Sequence, residues 1–283
     1  MKKERIKNTN DNENDLIGKA INGDSAALEL IIIEINDFIF NLSLRMLGTI
    51  ADAEDATQDI LIKVITHLAS FQQKSQFRTW VYRIASNYLM DYRKSMFSQY
   101  PLDFTYFEND LKYTDINNEG IQENKNKLAN ELKLSCTNTM LQCLKPQDRC
   151  IFVLGTMFKI KSKVASEILD LKPDNYRQRL SRSKKKMKVF LQNNCELSGG
   201  KCKCENRISY AIDKQRLIPS DLQYTNLKIL DYKILEEYTE VMEDMEETAD
   251  VFANLPFYNS TVDSKQFLKS LITSNKMKKI INF

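Results

Sequence analysis

The sequence predicts an all-α fold in which two helical domains are joined by a flexible linker and followed by a helical C-terminal extension. Apolar residues recur every three or four positions over long stretches, as they do on one face of a helix. The 283 residues include only 7 Gly and 5 Pro, which leaves little turn-forming sequence for a fold of many short strands. A chain of this length also accommodates two or three domains.

The bulk composition is typical of a soluble globular protein, with 42% apolar and 28% charged residues. No apolar run approaches the ~20 residues that span a bilayer, and the polar start of the sequence has no signal-peptide core. These features predict a cytoplasmic protein with no membrane partner. In that compartment the six Cys are expected to be reduced, or to serve metal or redox chemistry.

Charge is distributed unevenly along the chain. Residues 172–188 contain eight Lys or Arg and one acid, whereas residues 231–250 contain nine acids and one Lys. The basic block predicts a surface for a polyanion, and the acidic block a different task.

Composition and periodicity divide the chain into five segments. The third segment, residues 97–128, lacks a sustained hydrophobic period and contains Pro101 and Gly120, which favour a linker. The predicted segments are a disordered tail (1–14), a first helical domain (15–96), a linker (97–128), a second helical domain (129–193) and a C-terminal extension with a Cys-containing segment (194–283).

The first domain contains a helix with an acidic outer surface. Its buried stripe recurs every four positions, at Ala56, Ile60, Val64 and Leu68. The outer surface could be a solvated face whose early acids favour the helix N-terminus, or a docking face for a basic partner. Its residues are Asp52, Glu54, Asp55, Gln58 and Asp59.

A polar loop and an aromatic, basic helix follow. Phe71 and Phe77 bracket the loop, and the helix interleaves Trp80, Tyr82, Tyr88 and Tyr92 with Arg78, Arg83, Arg93 and Lys94. Aromatic rings stack on unpaired bases while Arg and Lys hold phosphates, so this pattern is typical of a single-strand pocket. The alternative is that the apolar members, Trp80, Val81, Ile84 and Ala85, belong to the core.

The second domain has the pattern of a helix-turn-helix. Val164, Ala165, Ile168 and Leu169 form the apolar face of a short helix, and residues 170–173 form the turn. The next helix turns Tyr176, Leu180, Ser183 and Met187 inward. Its outer face could read base edges in the major groove, or could be a merely soluble basic surface. That face comprises Asn175, Arg177, Gln178, Ser181, Arg182 and Lys185, with Arg179 at its margin.

Part of the first domain resembles region two of the extracytoplasmic-function sigma factors. The residues that carry this resemblance are DAEDATQDILIKV, starting at Asp52, and FRTWVYRIASNYLMDYRK, starting at Phe77. The resemblance implies that Asp52, Glu54, Asp55, Gln58 and Asp59 dock on core RNA polymerase. It also implies that bases of the minus-ten element are captured by Phe71, Gln72, Gln73, Lys74, Ser75, Gln76, Phe77, Arg83 and Asn87.

The second domain resembles region four of the same family. The matching start is Leu141, Leu144, Pro146 and Arg149, followed by the helix-turn-helix. The resemblance implies that Asn175, Arg177, Gln178, Arg179, Ser181, Arg182 and Lys185 bind the minus-thirty-five element. Asp170 replaces the usual Gly of the turn, Ser162 and Lys163 replace an acidic pair, and Asn175 and Tyr176 stand where Thr-Val is common. These departures bear on which promoter sequence is bound, not on the role.

The resemblance implies an alternative sigma factor that binds core RNA polymerase and promoter DNA, melts the minus-ten element and binds the minus-thirty-five element. Such a protein is not an enzyme, and we predict no catalytic residue and no cofactor. Two other functions fit the same residues. The chain could be a self-sufficient helix-turn-helix regulator, or a helical scaffold or inhibitor that sequesters polymerase.

The C-terminal extension begins with three clustered cysteines. Cys195, Cys202 and Cys204 are candidate metal ligands, but a zinc site usually needs four and the only His, His67, lies in another domain. We therefore predict no metal site; the alternatives are a structural turn, redox-sensitive thiols, or a fourth ligand from Glu196, Glu205 or a partner. The other three cysteines, Cys136, Cys143 and Cys150, are expected in the core.

The rest of the extension has two amphipathic stretches. Residues 231–255 and 263–273 predict helices that pack on each other or on the two domains. The extension resembles one found in a subset of the sigma family, which implies self-regulation; a separate anti-sigma protein is the alternative.

Overall fold

The computed structural model describes residues 13–112, 124–230 and 250–273. Every regular element in these ranges is a helix, and their strand-like pairings are two isolated bridges, Cys195 with Cys202 and Ile229 with Tyr258. The predicted all-α fold is therefore confirmed. Within these ranges, no helix has the length and apolar character needed to cross a membrane.

The first domain contains α1 (13–21), α2 (Ser25–Leu47), α3 (Ile50–His67) and α4 (Phe77–Asp91). Local residues fix the helix ends. Asp24 caps α2 by accepting hydrogen bonds from the N–H groups of Ala26 and Ala27, at 2.9 and 3.1 Å. Gly48 ends it with a φ of 86°, a left-handed conformation that suits Gly. Thr49 then caps α3 by accepting from the N–H of Asp52.

Helix α2 is the central element of the molecule. It is amphipathic in its first half, with Leu30 and Ile33 exposed, whereas every residue from Phe38 to Gly48 is buried. A helix buried on all sides needs neighbours on all sides. Helices α3 and α4 cover part of α2, and the second domain and the extension cover the rest.

The segment expected to be a flexible linker is partly helical. It contains α5 (Met96–Gln99) and α6 (Phe104–Leu111), and α7 (Lys125–Leu141) begins before the predicted end of the linker. Phe104 and Phe107 lie with their ring centroids 5.1 and 5.8 Å from that of Phe190 in the second domain. The flexible-linker prediction therefore fails for α6, because the apolar side chains of this helix pack on a partner far along the sequence. Residues 113–123 lie outside the described part of the chain.

The second domain contains α7, α8 (Pro146–Phe152), α9 (Ser162–Ile168) and α10 (Pro173–Asn194), with a π-helical turn at Val153–Met157. Arg149 joins it to the first domain, because its buried guanidinium donates hydrogen bonds to the carbonyls of Leu141, Leu144 and Met46. Burial lowers the pKa of Arg149 to about 10.

The extension contains α11 (Ile208–Asp213), α12 (Asp250–Ala253) and α13 (Ser264–Thr273), and it packs on both domains. Helix α13 lies against α2. The Tyr224 hydroxyl donates to the carbonyl of Gly48 at 2.8 Å, and the rings of Phe252 and Phe152 meet edge to face at 5.3 Å. Of the two predicted amphipathic stretches, the second is largely α13. Most of the first, residues 231–249, lies outside the described residues.

Candidate nucleic-acid and protein-binding surfaces

The acidic face of α3 lies where the sequence predicts it. We use this name for Asp52, Glu54, Asp55, Gln58 and Asp59. Beneath it Ala56, Ile60 and Val64 are buried, with at most 1% of their surface exposed. Asp55 and Gln58 are exposed, and the other three are half-buried. The face is thus accessible at its centre.

Two acids of this face also hold neighbouring elements. Asp59 accepts a short hydrogen bond from the hydroxyl of Tyr88 in α4 and lies 3.9 Å from the ammonium group of Lys94. Asp52 accepts from the Thr49 hydroxyl at 2.7 Å and from the N–H of Met96 at 3.4 Å. Burial, the bond to Asp59 and the nearby carboxylates raise the pKa of Tyr88. The acidic face is therefore fixed against the aromatic helix.

The polar loop rests on a cluster of three aromatic rings. The ring centroid of Phe71 lies 5.4 Å from that of Phe77 and 5.5 Å from that of Trp80. Phe71 is 9% and Phe77 2% exposed, so these rings support the loop instead of presenting their faces to solvent. Gln72, Gln73, Lys74 and Gln76 are exposed and Ser75 is half-buried.

A groove of about 650 Å³ runs between the end of α3 and α4. It brings Asn87, which the sequence predicts as a site residue, together with residues that sequence reasoning did not assign. Lys63 lies with its ammonium nitrogen 5.5 Å from the Tyr88 ring centroid. The groove is lined by Lys63, His67, Ser70, Trp80, Ile84, Asn87, Tyr88, Asp91, Tyr92, Arg93 and Lys94.

The sequence contains a spacing pattern for two of the groove residues, Lys63 and His67. Asp59, Lys63 and His67 are four residues apart and therefore form one row along α3. Arg83, by contrast, lies away from the groove: it donates to the carbonyl oxygen of Glu167 at 2.9 Å and lies 3.8 Å from its carboxylate. In α4, Val81 and Ala85 are fully buried whereas Trp80 and Ile84 are half-buried, so the core alternative holds for the first two only.

The basic helix α10 has the predicted orientation. Tyr176, Ser183 and Met187 are buried and Leu180 is half-buried. Arg179 forms an ion pair with Asp148 at 2.7 Å, so its charge is already matched within the domain. The remaining residues of the predicted DNA-binding face are exposed, namely Asn175, Arg177, Gln178, Ser181, Arg182 and Lys185.

The turn before α10 keeps its shape despite the absence of Gly. Asp170 has a φ of 52°, in the left-handed region that Asp occupies more readily than most residues. The departure from the family pattern at this position is therefore compatible with a helix-turn-helix.

In the structure, a fourth cysteine lies near the three cysteines that the sequence offers as candidate metal ligands. Cys195 is buried and Cys202 and Cys204 are half-buried, and all three lie near Cys136 of α7. His67 is exposed at the groove of the first domain. Sequence spacing does not reveal Cys136, because it precedes Cys195 by almost 60 residues.

Comparison with known proteins identifies the first domain. A family model described as sigma-70 region 2 matches residues 33–96. The ECF RNA polymerase sigma factor SigW of Bacillus subtilis is 27% identical over 172 residues, which cover 60% of this chain and 91% of that protein. The RNA polymerase sigma-H factor of Pseudomonas aeruginosa is 32% identical over 79 residues, or 28% of this chain and 41% of that protein.

Among solved structures, that of CnrH in complex with the cytosolic domain of CnrY matches with a TM-score of 0.47 and 20% identity, over 63% of this chain and 96% of that chain. The family match and the two relatives agree with the resemblance that the sequence itself carries. Residues 33–96 therefore form a sigma-70 region 2 domain, and the chain is similar to sigma factors of the extracytoplasmic-function type.

Proposed function

We propose that the chain acts as an alternative sigma factor, binding core RNA polymerase through its acidic face and directing it to promoters with particular minus-ten and minus-thirty-five elements. One observation carries this proposal: the acidic face and the aromatic, basic groove lie on the same pair of packed helices, joined by Asp59 and Tyr88. A protein that only binds duplex DNA needs no such pairing. Polymerase supplies the chemistry, and the chain supplies recognition.

The groove suits a base that has left the DNA stack. Flipping a base costs a few kcal/mol, and stacking on an aromatic side chain returns ~1–3 kcal/mol. Trp80, Tyr88 and Tyr92 offer ring surface, while Lys63, Arg93 and Lys94 offer positive charge at the same place. The exposed amides of the loop and Asn87 can form hydrogen bonds with base edges. We assign the non-template strand of the minus-ten element to this groove and loop.

The exposed face of α10 suits duplex DNA. Arg and Gln side chains form bidentate hydrogen bonds with guanine and adenine edges in the major groove, and Gln178 and Arg182 are both exposed there. Lys185 lies further along the same helix and is suited to phosphate. We assign the minus-thirty-five element to this face, with Arg179 as a positioning residue through its ion pair with Asp148.

The extension suits a regulatory role, because it holds the two domains in a closed arrangement. Arg83 of the first domain contacts Glu167 of the second directly, and the extension contacts both. The two promoter elements are named for positions about 25 base pairs apart, which is ~85 Å of B-DNA at ~3.4 Å per pair. Domains in contact cannot reach both elements, so promoter binding requires them to separate. We infer that the extension opposes this separation.

The docking surface is tested by reversing charge at the accessible acids. The double variant Glu54→Lys with Asp55→Lys is expected to lose core polymerase affinity by more than about tenfold, because like charges facing each other at an interface cost several kcal/mol. Binding of the full chain to purified core enzyme is measured by competition with the housekeeping sigma factor, and run-off transcription reports activity. Asp59 is left unchanged because it anchors Tyr88.

Asp221→Lys is the matched control, because Asp221 is an exposed acid in the extension. It should leave the affinity for core enzyme unchanged, and circular dichroism should show both variants to be folded. An affinity equal to that of the unaltered chain in the double variant would refute the docking assignment, and so would an equal loss in the control.

A further inference from the structure

A short segment of the C-terminal extension lies along α2. We call this segment, residues 256–260, the strap. It is not helical, and Tyr258 at its centre forms an antiparallel bridge with Ile229. Hydrogen bonds of 2.8 and 2.9 Å join its main chain to that of residues 228–230. The strap is therefore held in a strand-like form along one edge.

Three polar side chains of α2 hold the opposite edge of the strap through its main chain. The contacts are those of Arg45 with the carbonyl of Pro256, of Asn41 with both the N–H and the carbonyl of Tyr258, and of Asp37 with the N–H of Ser260. The donor–acceptor distances in these hydrogen bonds are 2.5–2.9 Å. Main-chain groups of every second residue of the strap thus bind to α2.

The spacing of these side chains matches that of an extended chain. We call Asp37, Asn41 and Arg45 the polar row of α2; they are four residues apart and lie on one side of the helix. Four residues of a helix rise about 6 Å, and two residues of an extended chain about 6.6 Å. Because the row binds N–H and carbonyl groups, which nearly all residues share, it recognises the form of a main chain and not its sequence.

Two aromatic side chains of the strap add selectivity. The ring of Phe257 meets that of Phe158 in the second domain edge to face, with 5.0 Å between centroids. The side chain of Tyr258 is fully buried, and its ring centroid lies 5.8 Å from the guanidinium carbon of Arg45. When a protein binds an extended peptide, main-chain hydrogen bonds supply affinity and side-chain pockets supply specificity. The polar row and the two ring contacts provide both.

The strap leaves part of this surface unsatisfied. Arg45 is fully buried, and its guanidinium donates to two neutral acceptors, the carbonyl of Pro256 and the side-chain oxygen of Asn138. Among the described residues, the Nε of Arg45 and the buried hydroxyl of Tyr258 have no hydrogen-bond partner. Unsatisfied buried groups cost free energy. An extended segment that supplied an acceptor to Arg45 Nε would therefore bind more tightly than the strap does.

We propose that the polar row of α2 is a docking site for an extended peptide segment of another protein, and that the strap occupies this site in cis as an exchangeable ligand. The partner segment is non-helical and carries two adjacent aromatic residues, as the strap does at Phe257 and Tyr258. Exchange replaces each main-chain hydrogen bond with one of the same kind. The site belongs to the folded chain and does not depend on sigma activity.

The site is tested on the full chain with a fluorescently labelled peptide of residues 254–264, whose binding is followed by fluorescence polarisation. The strap competes in cis at an effective concentration on the order of mM, so the peptide should bind the unaltered chain weakly. Ser260→Pro in the chain removes the N–H that Asp37 accepts and loosens the strap without altering α2. The peptide should bind this variant at least about tenfold more tightly, because freeing an occupied site lowers the apparent Kd.

Ser260→Ala is the matched control for the chain, because it shortens the same side chain but keeps the N–H. It should bind the peptide as weakly as the unaltered chain does, and circular dichroism should show both variants to be folded. Absence of peptide binding to Ser260→Pro would overturn the proposal, and so would equal affinities of the two variants.

Methylation of the peptide nitrogens separates main-chain from side-chain recognition. A methyl group on the nitrogen of Tyr258 removes the hydrogen bond to Asn41 and should reduce affinity for the Ser260→Pro chain about tenfold or more. A methyl group on the nitrogen of Thr261, an exposed residue beyond the strap, should leave affinity unchanged. Equal affinities of the two methylated peptides would refute main-chain recognition.

A second measurement needs no variant. In the unaltered chain labelled with ¹⁵N, unlabelled peptide above the mM effective concentration should speed hydrogen exchange at the Tyr258 amide, because the peptide displaces the strap. Unchanged exchange would also overturn the proposal. None of these measurements involves polymerase, so failure here leaves the proposed function untouched.

Discussion

Asp110 is a buried carboxylate that joins the region between the two domains to the extension. It accepts hydrogen bonds from Arg207 at 2.9 Å, from Arg216 at 2.7 Å and from the hydroxyl of Tyr210 at 2.9 Å. Burial alone would raise the pKa of Asp110, but the bonds from Arg216 and Tyr210 and the charges of both arginines outweigh it, so the pKa lies below its ordinary value. One side chain at the end of α6 thus holds three residues of the extension.

Replacing this carboxylate should loosen the start of the extension. Asp110→Asn leaves Arg207 buried without its counter-charge, and breaking such a buried pair costs about 3–5 kcal/mol. Hydrogen exchange should become faster for residues 204–217, whereas α3 should be unaffected. Asp213→Asn, at an exposed position of the same segment, is the control. Unchanged exchange in Asp110→Asn would show that the hydrogen bonds to Asp110 contribute little to the stability of this segment.

The same residue predicts a pH dependence. Because the folded pKa of Asp110 is below its unfolded value, its stabilisation is fully present above the unfolded value of about 4. It is lost as the pH falls through the lower folded pKa. The free energy of unfolding is measured with urea between pH 7 and pH 3. It should fall less over this range in Asp110→Asn than in the unaltered chain. Equal losses would contradict the assignment.

At the scale of elements, the basic helix α10 packs closely against one glycine of the turn that precedes α9. Gly155 lies in the π-helical turn Val153–Met157, and a Cβ there would meet the Tyr176 hydroxyl at 2.6 Å and the Leu180 side chain at 2.7 Å. Tyr176 is fully buried and donates to the carbonyl of Ile151 at 3.3 Å. The close approach of these two elements sets the angle at which α10 presents its outer face.

Gly155→Ala should therefore shift α10 and weaken duplex binding. Overpacking of this kind costs about 1–3 kcal/mol, and the thermal unfolding midpoint should fall together with affinity for a promoter duplex in the polymerase complex. Gly18→Ala is the control, because nothing lies within 4 Å of a Cβ at Gly18. Ala is the better helix former, so the control should be neutral or stabilising. A stable Gly155→Ala variant with full promoter affinity would show that close packing at Gly155 does not set the position of α10.

Periodicity predicted the long helices well. The stripe of α3 at Ala56, Ile60 and Val64 and the inward side of α10 are buried as expected. It did not predict α6, which has only eight residues and packs on Phe190 of a distant helix. A sequence pattern reports the face of one element, but it contains no information on which element will cover that face.

The candidate sites divide in the same way, into residues that lie along one element and residues that packing brings together from several elements. Residues along one helix, such as the acidic face, were predictable from spacing. Lys63 and His67 share one row of α3 with Asp59, but the sequence does not place them in a groove, because the groove exists only once α3 and α4 pack together. Cys136 was expected in the core, and it packs against the core as a half-buried residue of α7. Sites built across elements require the tertiary fold.

At the scale of the whole molecule, a second carboxylate holds the extension to the second domain. Glu131 of α7 accepts hydrogen bonds from the N–H groups of Gln223, Tyr224 and Thr225, at 2.8, 2.9 and 2.7 Å. Tyr224 in turn bonds to Gly48 of the first domain. This chain of contacts runs from the second domain through the extension to the first, so it bears on the closed arrangement of the entire protein.

Releasing this contact should open the molecule and raise its activity. Glu131→Ala leaves three N–H groups without their acceptor; that of Tyr224 is buried, and an unsatisfied buried donor costs about 1–3 kcal/mol. The radius of gyration from X-ray scattering should rise above the roughly 19 Å of a compact chain of this length, and run-off transcription should increase. Glu108→Ala is the control, because Glu108 is a partly exposed acid on α6. An expanded variant with unchanged or lower transcription would refute regulation by the extension.

The buried surface of α2 that faces the extension is unusual in its polarity. Asn36 donates to the carbonyl of Val262 at 2.8 Å, Asn41 exchanges hydrogen bonds with the main chain of Tyr258, and Arg45 donates to the carbonyl of Pro256. Amide and guanidinium groups can form equivalent hydrogen bonds with water. Exposing this surface therefore costs less free energy than exposing an apolar core of equal area, so the separation of the extension from α2 that we propose carries a smaller penalty.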